Sequence, residues 1–299
     1  MTDHYHAIIV GSGVGGMAAA DLLASHGLRV MMVDDNAHPG GQLLRRPPGR
    51  SHHGTGLAVD RSKRRGQKLL ASLALRKMAC LQNAQVLGIY PQRTLLIQTH
   101  QGHVSECRSD SLILATGARE RQVPFRGWTL PGVISTGAAQ IMMKGSGILP
   151  GELPLIGGCG PLMLVLAGEI LLNGGRVKAV LDQSTTKQKL ALFCAGAAIF
   201  PKLIVGVQYL ARLLAARVPL RQRVRVVEAR GNRCLESVVV ASVGADGRIR
   251  KGTERVYGTD TLAIGHGFVP NIELPYQAGC RVAHAVEKGG WHVAVSYTH

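Results

Sequence analysis

Residues 6–35 read HAIIVGSGVGGMAAADLLASHGLRVMMVDD, and the order of their apolar runs and glycines decides the fold. Ala7 to Val10 form a short apolar run of the kind a buried strand shows. Gly11, Gly13 and Gly16 then fill a G-x-G-x-x-G spacing, with Ser12 between the first two. Ala20 follows one helical turn later, Gly27 ends the helix, and Val30 to Val33 form a second apolar strand closing on Asp34. Each position has a physical reason. The first glycine turns the chain, the second lets backbone approach a pyrophosphate, and the third lets the helix pack on the strand. The helix N-terminus faces phosphates, and an acid at the end of the second strand hydrogen-bonds ribose hydroxyls. A lone glycine pattern would say little in a chain with 38 glycines. The full strand, loop, helix, strand and acid predict a dinucleotide-binding unit.

A second copy starts in LIGGCGPLMLVLAGE (155–169). Leu155 and Ile156 read as a strand end, Gly157, Gly158 and Gly160 as a tight loop, and the repeat closes on Asp182. The span from Gly158 to Asp182 is one residue longer than that from Gly11 to Asp34, so an internal repeat is the economical reading. Met163 stands where the third glycine belongs. Its side chain is expected to push the helix outward or to occupy space near the pyrophosphate path, and Pro161 removes a backbone N–H from the turn. The fold is expected to persist there without tight NAD binding. Gly158, Gly160 and Asp182 remain an open nucleotide site, and NAD(P) an open cofactor.

Composition narrows the function classes. The chain has 299 residues, 46% of them hydrophobic and 4% aromatic, which suits an α/β protein with many tight turns. The start, MTDHYH running into AIIV, leaves no room for a signal peptide, so a cytoplasmic location is expected. The most apolar run, 153–168, is interrupted by glycines and Pro161, and predicts no transmembrane helix. The six cysteines, Cys80, Cys107, Cys159, Cys194, Cys234 and Cys280, form no close pair, so no zinc, iron–sulfur or dithiol site is expected. The formal charge of +17 is concentrated partly in RRPPGR (45–50) and RSKRRGQK (61–68). Without interleaved aromatics, these stretches fit a solvated loop, an acidic partner or a lipid surface better than nucleic acid.

Between the motifs, a helix is expected over about 61–78, strands over 84–90, 93–99 and 104–108, and a buried strand over 112–115. STGAAQIMMK (135–144) reads as a helix with Ser135 as N-cap. Helical patterns follow over 186–197 and 202–216, then strands over 223–230 and 235–242 and a polar turn at 244–248.

HPGGQL (38–43) and LILATGARERQVPFRGWTLPGV (112–133) resemble the two-dinucleotide-domain flavoprotein disulfide reductase superfamily. That resemblance implies FAD, with Gly40, Gly41 and Gln42 near the isoalloxazine side and Thr116 and Gly117 at the turn beside it. ATGARERQVPFRGWTLPGVISTGAAQIMMK, GPLMLVLAGEIL and LAIGHGFVPNIEL resemble, more narrowly, the FAD-containing subunit of two-component amine and amino-acid dehydrogenases. That group takes in the FAD-containing subunits of opine oxidase, of hydrogen cyanide synthase and of the proline or hydroxyproline dehydrogenases. The resemblance implies a partner flavoprotein that oxidises a small amino-acid-like substrate, while this chain binds FAD and passes electrons onward. Membrane association through partners stays open.

The implied fold is α/β, with two Rossmann-like domains of the glutathione-reductase type. Residues 1–122 and 255–299 would form the FAD domain, 123–150 a crossover, and 151–254 an inserted NAD(P)-binding-like domain. No Ser/His/Asp triad, paired carboxylates or metal-ligand spacing is evident, so no catalytic side chain is assigned. His266 could face a flavin edge or be structural. Arg119, Glu120 and Arg121 could line the cofactor cleft, meet a partner or form a salt-bridged turn. After WHVAV the chain ends in SYTH, where the resembled family continues to a glycine–aspartate segment and a closing helix. A truncated C-terminus is therefore expected, with Ser296–His299 foreign and FAD retention weak; a natural stop is the alternative. A stand-alone NAD(P)H-dependent flavin reductase and a non-catalytic nucleotide-binding scaffold are the competing readings.

Overall fold

The computed structural model describes residues 3–46, 61–184, 200–286 and 289–294. The expectations for 47–60, for the helix over 186–197, for Cys194 and for Ser296–His299 lie outside these residues. The chain divides into two units, the first within 1–45, 59–119 and 268–299 and the second within 46–58 and 120–267.

In the first unit, β1 (Asp3–Val10) runs through the glycine loop into α1 (Val14–Ser25), and β2 (Val30–Val33) lies parallel to it with Ala7 opposite Val30. The short α2 (Gly41–Leu44), then α3 (Arg61–Leu73) and β3 (Ala79–Leu81), follow. With β4 (Ala84–Tyr90), β5 (Thr94–Thr99) and β6 (Val104–Leu114), the sheet order is β3-β2-β1-β6-β5-β4. The first four of these strands are parallel, and the β5 and β4 pairings are antiparallel. Side chains alternate across the sheet. Ile9, Val30 and Met32 pack with Met17 and Ala20 of α1, while Ile8, Met31 and Val33 pack with Val86, Leu95 and Ile97.

Two expectations change here. The helix ends at Leu73, and Ser72 and Arg76 both donate to Asp21 of α1, at 2.9 and 2.7 Å. The two expected strands over 104–108 and 112–115 are one continuous strand, β6. Its polar middle suggested a break, but pairing with β5 up to Arg108 and with β1 up to Leu114 carries it through. From Ser109 to Leu114 the edge of β6 away from β1 has no partner strand among the described residues. A cavity of about 890 Å³, lined by Arg93, Asp110, Leu112, Leu114, Pro275 and Val293, lies beside it.

β7 (Ala118–Glu120) leads out of the first unit and β8 (Val133–Ser135) begins the second sheet. α4 (Thr136–Ile141) follows, with the Ala138 N–H donating to Ser135 Oγ at 3.1 Å as expected of the N-cap. Then come β9 (Leu155–Gly158), α5 (Leu162–Leu172), β10 (Ala179–Asp182), α6 (Phe200–Ala215) and β11 (Leu220–Gln222). β12 (Val224–Arg230), β13 (Ser237–Ser242) and β14 (Arg255–Gly258) form an antiparallel sheet. β15 (Leu262–Gly265) completes a parallel sheet of order β11-β10-β9-β15-β8.

The boundaries therefore differ from the expected ones. Residues 123–150 are not a bare crossover, because β8 pairs with β15 and forms one edge of the second sheet. Residues 255–267 belong to the second unit, because β14 pairs with β13 and β15 with β9. β16 (Phe268–Pro270), α7 (Glu273–Gln277) and the hairpin of β17 (Val282–Ala285) and β18 (Gly290–Val293) lie in the first unit.

Met163 takes core space rather than ligand space. It is 2% exposed and packs in the core with Ile156, Leu166, Ala167 and Ile170. Pro161 is the N-cap, in right-handed helical conformation, and the N–H groups of Leu164 and Val165 both reach its carbonyl. The helix accordingly starts one residue later, relative to the first glycine of its loop, than α1 does. A position that in the first unit must be empty is here filled by core.

Candidate functional site

The first glycine loop is built by close backbone approach. Gly11 has φ +103°, and a Cβ there would stand 2.3 Å from the Ala115 carbonyl oxygen. A Cβ on Gly16 would stand 1.9 Å from the Gly11 carbonyl oxygen, so only glycine lets α1 enter at that height. Gly13 and Gly15 face open space, as a loop made to receive a ligand should. The Gly40 N–H donates to the Ser12 carbonyl at 2.8 Å, and a Cβ on Gly41 would press on the Gly13 Cα at 3.0 Å. The G-G segment thus lies directly against the first loop, with Gln42 exposed on α2. Thr116 and Gly117 are held by Asn271, whose Nδ2 donates to the Thr116 carbonyl at 2.7 Å and whose N–H donates to the Gly117 carbonyl at 3.1 Å.

Asp34 is buried at the end of β2. Its carboxylate accepts the Ser12 N–H on one oxygen, and the Asn36 N–H and Nδ2, both at 2.8 Å, on the other. Burial works to raise its pKa, but the Ser12 and Asn36 donors outweigh it and hold the carboxyl below the ordinary aspartate value. It therefore stays an acceptor at neutral pH. Ser12 is fully buried beside the open loop, and its hydroxyl adds to the donors that hold the Asp34 carboxyl down. The open positions at Gly13 and Gly15 and the ionised acid together fit a dinucleotide.

The second loop is assembled otherwise. Gly158 has φ +126°, and a Cβ there would meet the Gly265 carbonyl oxygen at 1.8 Å, while Gly160 faces open space. Asp182, Gly158 and Gly265 stand side by side at the ends of β10, β9 and β15. Asp182 accepts the Ser184 N–H at 2.8 Å. The Gln183 N–H donates to the Gly158 carbonyl at 2.9 Å, and its side-chain amide reaches His266 Nδ1 at 3.2 Å. Gln183 follows β10 and His266 follows β15, so this bridge crosses the carboxyl end of β9, where a bound dinucleotide's pyrophosphate would run. Arg225 Nε donates to Gln183 Oε1 at 3.2 Å and fixes the amide. With Pro161 lacking an N–H, these residues do not fit a pyridine dinucleotide in this arrangement.

His266 is structural in this setting. Burial, then the charges of Arg225 and Arg121, hold its pKa below the ordinary histidine value, with Glu120 pulling weakly the other way. Folding therefore favours the neutral ring. The stability this contributes is present above the ordinary histidine range and is lost as pH falls through the lowered folded value. The melting temperature is expected to fall more steeply below about pH 6.5 in the parent chain than in His266→Gln; parallel curves would contradict this.

The other expected residues divide as follows. Arg119 pairs with Glu273 in the first unit. Glu120 accepts from Thr136 Oγ1 and from the Gly137 N–H, bracing the start of α4. The Arg121 N–H donates to the Gly267 carbonyl at 2.8 Å. Asn36, Arg45, Asn271 and Gln183 were not identified as site residues from sequence. Asn36 had a signal, since a residue two past an aspartate commonly donates to its carboxylate in a turn. Among the described residues, no three His, Cys, Asp or Glu side chains are grouped to hold a metal, and no helix is long and apolar enough to cross a membrane.

Residues 5–290 match the pattern of the pyridine nucleotide-disulphide oxidoreductases, and the chain belongs to that family. It is 32% identical to the hydrogen cyanide synthase subunit HcnB of Pseudomonas protegens, over 91% of this chain and 58% of that protein. It is 30% identical to one of the subunits of opine oxidase from Agrobacterium tumefaciens, over 94% of this chain and 56% of that protein. The chain thus spans little more than half the length of these relatives. The crystal structure of L-proline dehydrogenase from P. horikoshii superposes with a TM-score of 0.65 at 17% identity, covering 100% of this chain and 49% of that one, a likeness of fold. Family and relatives together place this chain among oxidoreductase polypeptides.

Proposed function

We propose that the first unit holds FAD and that the chain is the electron-passing subunit of a heteromeric amino-acid, opine or imino-acid dehydrogenase in the cytoplasm. The observation that carries the cofactor placement is the contact of the two glycine segments, Gly40 on Ser12 and Gly41 against Gly13. In this reading Gly11, Gly13 and Gly16 shape the pyrophosphate loop. Ser12 supplies a buried hydroxyl, Asp34 accepts from a ribose, and Gly40, Gly41, Gln42, Thr116 and Gly117 flank the ring end. FAD would supply the redox chemistry, and the protein need only position and tune it.

The subunit reading is supported by the names of the relatives, which are themselves subunits. The second unit, with its bridged crevice, favours a structural or assembly role over NAD(P)H oxidation. Isolation of the protein from its source cells, followed by mass spectrometry, is expected to recover a second flavoprotein in fixed ratio. Recovery of the chain alone, with full NADH oxidation, would favour the stand-alone reductase.

A further inference from the structure

We infer that Arg45 binds the adenosine-phosphate half of the dinucleotide and sets the orientation of Asp34 through Asn36. This rests on the proposal that the first unit holds FAD. A chain of hydrogen bonds joins the glycine loop to the guanidinium group. Asp34 is held by Ser12 and Asn36, as described, and Asn36 Nδ2 also donates to Asp35 at 2.6 Å. Arg45 Nη2 donates to Asn36 Oδ1 at 2.5 Å. That bond leaves Asn36 no rotational freedom: its oxygen must face Arg45, so its nitrogen must face the two aspartates.

At the far end of this chain of bonds, Arg45 Nε is buried and has no hydrogen-bond partner among the described residues. An unmade donor on a charged, partly buried group is costly, and such a group is expected to find an acceptor when a ligand arrives. The acceptor chemistry is set by the neighbours. Asp34 is held as an ionised acceptor at the end of β2, the chemistry that a ribose hydroxyl needs. Arg45 Nε suits an anionic oxygen, as a phosphate offers, and a guanidinium can bond Asn36 and a phosphate oxygen at once through different nitrogens. A ribose ring with its hydroxyls beside a phosphate is the chemistry of the adenosine half; flavin mononucleotide has a phosphate and ribityl hydroxyls but no adenosine ribose.

The test titrates FAD, ADP and flavin mononucleotide into the purified full-length chain and into Arg45→Ala and Arg45→Lys, with apo melting temperatures recorded alongside. Arg45→Ala is expected to weaken FAD and ADP by about tenfold to a hundredfold, the loss typical of a hydrogen bond to a charged group. Its apo melting temperature and its affinity for flavin mononucleotide should be unchanged. Arg45→Lys should recover only part of the loss, because an ammonium group lacks the fork that reaches Asn36 and phosphate together. Equal ADP affinity in the parent chain and Arg45→Ala, or a fall in apo stability that accounts for the whole effect, would overturn the inference. Failure of the parent chain to bind FAD or ADP at all would instead overturn the cofactor placement, and this inference with it.

Discussion

A Gly16→Ala chain is expected to lose flavin binding and to melt well below the parent, whereas Gly15→Ala, one residue away on the same helix, should melt at or slightly above it. Alanine has the better helix propensity by about 1 kcal/mol, so propensity alone would stabilise both variants. Contact geometry separates them. A Cβ at Gly15 meets nothing, but one at Gly16 would sit 1.9 Å from a backbone oxygen that cannot rotate away. Relief requires α1 to move off β1, which loosens Met17 and Ala20 from Ile9 and Met32. Overpacking of this kind costs about 1–3 kcal/mol or more, enough to outweigh the propensity gain. The same shift would move the Gly13 backbone away from any pyrophosphate. Thermal denaturation of the apo chains and the flavin content of FAD-equilibrated ones check this; full FAD occupancy in Gly16→Ala would contradict it.

Restoring the missing glycine of the second loop is expected to damage the protein without creating NADH activity. Met163→Gly removes a side chain that is 2% exposed and packed against Ile156 and Leu166. Truncating a buried methionine to alanine costs about 2–5 kcal/mol. Glycine inside a helix adds about 1 kcal/mol more. The loop would then carry the standard spacing, yet Pro161 would still lack its N–H and the Gln183–His266 bridge would still cross β9. Denaturant titration should show the stability loss, and stopped-flow mixing of the flavin-loaded variant with NADH should show no rapid reduction. Fast reduction in Met163→Gly would mean that the Met163 side chain alone had closed the site.

The first unit was legible because its constraints are local. Gly11, Gly16 and Asp34 are tied to one strand-loop-helix-strand segment, and each residue type answers a contact within it. The second unit was legible as a repeat for the same reason. β15 was not, because LAIG reads like any buried strand and sequence order does not say which sheet it joins. Pairing with β9 rather than return to the first sheet is a long-range choice made by packing. Met163 shows a related limit: the pattern revealed an unusual residue but not whether it points at the core or the ligand. Asn36, Arg45, Gln183 and Asn271 act through side-chain bonds to partners that local spacing did not single out.

Anaerobic reduction of the flavin-loaded chain tests the central claim most directly. The chain, alone and joined to the flavoprotein that co-purifies with it, would be mixed in turn with NADH and with amino-acid, imino-acid and opine substrates. The account predicts that the visible flavin band bleaches only with the partner and one of the amine substrates, and that NADH leaves it essentially unchanged. Rapid and complete bleaching by NADH in the isolated chain would contradict it.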